Sequence, residues 1–203
     1  MQPAPRWAAA SPTEDAGVGG NARLTATVGI VLFIVLGLEG LTILSIRRLL
    51  GPHAFIGFLL IPPLVLKLAS TGYRFARYYT RDTAYRLAGP PQIVMRLDAP
   101  ILVATTTLVV LSGVILWFAG NPHFWLTVHK GSFVLWFFAT AIHVLGYLER
   151  APSLMLDDLR DRPPVRGAST RRGLVLGSLV LGLVIGVVAV MVWATPFRIP
   201  VEQ

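Results

Sequence analysis

Five apolar runs, each near the roughly 20 residues a helix needs to cross a bilayer core, dominate this chain of 203 residues. They cover residues 24–46 (interrupted only by Glu39), 53–71 (broken by Lys67), 99–119, 124–148 and 173–194. Charged residues make up 14% of the chain, about half the share in an ordinary soluble domain, and the mean hydropathy is +0.66. The pattern predicts an all-α polytopic membrane helical bundle. Residues 24–150 form a four-helix core, 151–172 a basic loop and 173–195 a fifth transmembrane helix, between a disordered tail at 1–23 and a short one at 196–203. No second globular domain has room. The first run is too long and too far from the N-terminus for a simple cleaved signal peptide.

The arginines set an orientation. Thirteen basic residues fall in the N-terminal tail and the segments after the second and fourth runs, against four on the other side. The positive-inside rule then puts the N-terminus in the cytoplasm and the C-terminus outside a bacterial-type plasma membrane. The net charge of +8 reads as topology and contact with anionic lipids. Nucleic-acid binding is disfavoured, because these juxtamembrane arginines belong to no binding motif. Cysteine is absent, which excludes disulfides and thiolate metal sites. Any redox centre must use other ligands.

Within the fourth run stand His129 and His143, fourteen residues apart. At about 100° and 1.5 Å per residue, that step returns to nearly the same helix face about 21 Å further along. A single metal ion would want closer spacing; two stacked sites facing one neighbour suit two haems in series. The second run supplies partners at the same step: His53 level with His129, and Lys67 level with His143. Gly57, Gly131 and Gly146 are small enough to admit a flat macrocycle near a helix backbone.

The segment HKGSFVLWFFATAIHVLG, with its H-x13-H spacing, resembles the paired-histidine helix of the prokaryotic cytochrome b561-type family of di-haem b membrane subunits. The resemblance covers the first four helices. It implies that His53, His129 and His143 are axial ligands of haem b iron. It also implies that electrons pass between a membrane quinone and an extracytoplasmic redox enzyme subunit or a small oxidant. The chain departs from the family at Lys67, where a fourth histidine would complete the inner pair.

Each candidate also has a plainer reading. An intramembrane histidine can simply bond across helices. Lys67 can snorkel to the interface, contact a propionate or quinone carbonyl, or ligate iron as a neutral amine. Glu39 is a proton-transfer candidate beside the outer haem, or a carboxyl bonded to a neighbour or paired with Arg47 or Arg48. His123 decorates the outer loop. Pro62 and Pro63 are expected to kink the second helix. Gly173, Gly177, Gly182 and Gly186 favour close packing of the fifth helix on the first, the third, another copy in a homo-oligomer or a different subunit. Two rivals stand beside the di-haem reading: a single-haem form with a quinone or proton site at the inner level, and a non-redox transport or assembly subunit. No dinucleotide fingerprint is present, so direct hydride transfer from a nicotinamide is disfavoured.

Overall fold

The computed structural model describes residues 15–118, 122–160, 162 and 164–192. Among them the chain is all-α: α1 (Asp15–Ile43), α2 (Ile46–Tyr79), α3 (Thr83–Leu87), α4 (Ile93–Phe118), α5 (Pro122–Tyr147), α6 (Arg150–Arg160) and α7 (Ala168–Val192). Five of these, α1, α2, α4, α5 and α7, are long and apolar enough to cross a membrane. At most 28% of any span's apolar window is buried inside the protein, so most of that surface requires an apolar solvent. The chain is a polytopic membrane bundle.

Successive spans run in opposite directions. The proximal end of the bundle carries the starts of α1, α4 and α7 and the ends of α2 and α5; the distal end carries the opposite termini. Two expected boundaries shift at the proximal end. Residues 15–23 belong to α1 rather than to a tail, and the 151–172 segment contains α6 and the first turn of α7. The tails at 1–14 and 196–203 lie outside the described residues.

Local chemistry sets the breaks. Asp82 caps α3, its Oδ1 accepting from Tyr85 N at 3.2 Å. Gly89 (φ +74) turns the chain into Pro90 and Pro91 before α4. The expected kink at Pro62–Pro63 is absent from the dihedral angles; the one non-helical residue within α2 is Leu49 (φ −109, ψ 19). Pro52 lies three residues on, and a proline ring crowds the preceding turn.

Pro63 acts through a carbonyl instead. Lacking an N–H, it leaves Leu59 O without its helical donor, and α7 presses Gly182 against that oxygen. A Cβ on Gly182 would stand 2.2 Å from Leu59 O, and one on Gly186 would stand 2.9 Å from Phe55 O. The fifth span therefore packs on α2, while Gly173 and Gly177 meet nothing.

The core has two centres. Val28, Leu32, Leu60 and Val175 join α1, α2 and α7; Phe58, Trp117 and Ala189 join α2, α4 and α7. Trp117 Nε1 donates to Ala189 O at 3.0 Å. At the proximal end α6 packs on α1 and is tied to α7 by a buried ion pair in which Arg171 Nε donates to Asp158 Oδ1 at 2.8 Å. The extensive partner of α5 is α4, which leaves the α2 and α5 histidine faces opposed across the bundle.

Candidate functional site

His53 lies seven residues into α2, and His129 seven residues into α5. Equal depth on two helices that both descend from the distal end brings the rings together. Their centroids are 6.3 Å apart and their planes nearly perpendicular, at 87°. This pairing matches the spacing argument for the outer level.

The hydrogen bonds around the pair assign both tautomers. Thr42 Oγ1 donates to Glu39 O (2.5 Å) and lies 2.8 Å from His53 Nδ1. Having spent its proton, the hydroxyl accepts from the imidazole, so His53 carries its hydrogen on Nδ1. Glu39 Oε1, 3.1 Å away, faces the same nitrogen. On the other ring, Val109 O lies 3.0 Å from His129 Nδ1. A carbonyl can only accept, so His129 is also an Nδ1–H tautomer. Ser112 Oγ, 3.1 Å from that nitrogen, donates to Leu108 O at 2.6 Å. Among the described residues no hydrogen bond engages either Nε2. Both imidazoles are held by one nitrogen, with the lone pair of the other unspent, as in metal-ligating histidines.

The partners are buried. Thr42 is 6% exposed and Ser112 1%. Glycines make the room: a Cβ on Gly57 would meet Glu39 Oε1 at 3.5 Å, and one on Gly113 would meet His129 Cε1 at 3.2 Å. Gly57 thus accommodates the carboxylate, and Gly113 accommodates the imidazole. Nothing stands within 4 Å of a Cβ on Gly131.

The proximal level is built differently. His143 Nδ1 lies 3.3 Å from Asp98 Oδ2 on α4, an ion-pair distance without the alignment of a hydrogen bond. Asp98 is buried, and Tyr147 rests against the His143 ring at 4.9 Å. Lys67 is within electrostatic range of His143, and one of its donors goes to α1. Nζ donates to Thr25 O at 2.6 Å and sits where a Cβ on Gly29 would come within 2.9 Å. Thr25 is ten residues from the start of α1, so Lys67 bridges α2 and α1 at this level. Met95 occupies the space beside Gly146, its Sδ 2.5 Å from the position of a Cβ there.

Glu39 pairs with His53, not with Arg47 or Arg48. His123 is exposed on the distal surface. Three groups escaped the sequence reading: Asp98, which precedes the apolar run 99–119 but lies within α4, and the hydroxyls of Thr42 and Ser112. Among the described residues no three His, Cys, Asp or Glu side chains gather as a metal cluster. Comparison with known proteins finds no matching family, curated protein or solved structure.

Proposed function

We propose that the chain is a haem b-binding electron-transfer protein of the cytochrome b561 type, with His53 and His129 as the two axial ligands. The carrying observation is the facing pair of Nδ1–H imidazoles. The ring centroids are 6.3 Å apart and each ring has a nitrogen that is not hydrogen-bonded among the described residues, so His53 and His129 would be the residues that hold the iron. Haem iron would supply one-electron chemistry here. Thr42 fixes the His53 ring with Glu39 beside it, Ser112 and Val109 fix the His129 ring, and Gly113 on α4 leaves room for the His129 ring. The surrounding apolar spans exclude water and favour a membrane quinone as one electron partner. The other partner would be an extracytoplasmic redox subunit or small oxidant at the distal end. This follows from the arginine distribution, which makes the proximal end cytoplasmic in a bacterial-type plasma membrane.

At the proximal level the single-haem form is favoured. His143 has Asp98 opposite it instead of an imidazole, and Lys67 is bonded to Thr25. These ionisable groups, from α2, α4 and α5, suit proton exchange with a quinone, since charged side chains inside spans ordinarily serve transport or proton relay.

Reduced-minus-oxidised spectra with pyridine-haemochrome quantitation test both statements. One haem per chain is expected, lost in His53→Ala and His129→Ala and retained in His143→Ala. Two haems per chain, one lost with His143, would replace the single-haem form by the di-haem one. Protein without a Soret band would sink the proposal.

A further inference from the structure

The proximal end holds a cavity of about 380 Å³ between the end of α2, the 88–92 turn, the start of α4 and the α5–α6 junction. Arg74 and Arg150 line it, with Gln92 and the phenol-bearing Tyr147. Among the described residues neither arginine has an acidic partner, whereas Arg77 is paired with Asp82 and Arg171 with Asp158. Arg74 makes one long bond, from Nη2 to Gly89 O at 3.5 Å. One carboxylate, Glu149, also lines the cavity, leaving one positive charge in excess. The first turn of α4 opens on the same wall and carries no acidic residue. Its backbone N–H groups add positive potential.

Below this rim the surface turns apolar. Leu145 and Leu148 line the cavity and are 71% and 56% exposed, and Ile93 on the adjoining α4 turn is 63% exposed. A guanidinium pair over an open apolar track, where three spans meet the interface, matches an anionic head attached to hydrocarbon chains. Arginine binds phosphate oxygens bidentately, and the volume exceeds what one phosphate needs.

We propose that this cavity is a binding site for an anionic phospholipid, its phosphate held by Arg74 and Arg150 and its acyl chains lying along Leu145 and Leu148. The site is independent of any haem.

The test is native mass spectrometry of the full chain in detergent, titrated with phosphatidylglycerol, phosphatidylcholine or inorganic phosphate. Wild type should retain one phosphatidylglycerol per chain in preference to phosphatidylcholine, with millimolar phosphate failing to displace it. Arg74→Gln/Arg150→Gln should weaken that retention roughly tenfold or more. Arg81→Gln/Arg86→Gln, an equal charge loss away from the cavity, should leave it intact. If the double variant unfolds, the exposed Arg150→Gln alone should still weaken retention. Equal binding of the two lipids, undiminished retention in the cavity variants or equal loss in the control pair would overturn the assignment. Displacement by inorganic phosphate would give the site to a free phosphate and overturn it as a lipid site.

Discussion

His53 Nδ1 stands 3.1 Å from Glu39 Oε1, so a carboxyl group lies against the nitrogen that is hydrogen-bonded to the hydroxyl of Thr42. When ionised, this carboxylate would make the ring a stronger donor through its other nitrogen to the iron proposed above. His129 has only neutral acceptors. Glu39→Gln exchanges a charge-assisted bond for a neutral one, a difference of about 1 kcal/mol. On the haem ligation proposed above, the midpoint potential at alkaline pH should therefore rise by roughly 40 mV on one-electron conversion, with haem content retained because Thr42 still holds Nδ1. Potentiometric titration reads the shift; an unchanged or lowered potential would remove Glu39 from this role.

Gly113 decides whether His129 can stand where it does. A Cβ there would sit 3.2 Å from His129 Cε1, tight enough that alanine forces a small displacement and valine a large one. Gly113→Val should lose haem to the level of His129→Ala while accumulating normally in the membrane. Gly37→Ala, with nothing within 4 Å, should keep full haem. Haem per chain in the purified variants is the measurement. Full haem in Gly113→Val would show that His129 does not need its present position.

The spans and the His53–His129 pairing were legible because both rest on regular geometry. Length and hydropathy locate helices, and equal steps on two descending helices bring residues to equal depth. Asp98 was missed for a related reason: its run was dated from residue 99, whereas α4 begins at Ile93. Hydroxyls leave no periodic signal inside apolar helices, where they commonly bond back to their own turn, as Thr105 does to Ile101 O. Only tertiary contact distinguishes Ser112, whose oxygen also meets His129. The α7 partner was equally hidden, since a glycine pattern says that a backbone comes close but not which one. The fourteen-residue step sets the level of Lys67 but not its contact with Thr25 O, which lies on another helix.

Gly182 should be the most sensitive glycine of α7. Its missing Cβ would fall 2.2 Å from Leu59 O, a backbone atom that cannot rotate away. Gly182→Ala must push α7 off α2 and disturb the Val175 and Ala189 contacts, a cost of about 1–3 kcal/mol typical of overpacking. Gly177→Ala meets nothing within 4 Å and should be neutral or stabilising by about 0.5–1 kcal/mol, from the lost freedom of the unfolded chain. Thermal melts of both variants in one detergent compare them directly. Equal melting temperatures would mean that the α2–α7 contact does not limit stability.

The Asp158–Arg171 pair ties α6 to α7 where both are buried, with the side chains 2% and 8% exposed. Arg171 also donates to Arg166 O at 2.8 Å, and Arg172 donates to the backbone carbonyl of Asp158. Asp158→Ala leaves the guanidinium charge buried without its partner, for which about 3–5 kcal/mol is typical. Arg171→Leu strands the carboxylate similarly but also releases the 166 carbonyl. Removing both charges should cost less than the sum of the two single changes, because neither is then left uncompensated. A double-mutant cycle on melting midpoints reads that coupling. Additive losses would show that each residue acts through its backbone neighbours alone, and that the ion pair itself does not hold α6 against the bundle.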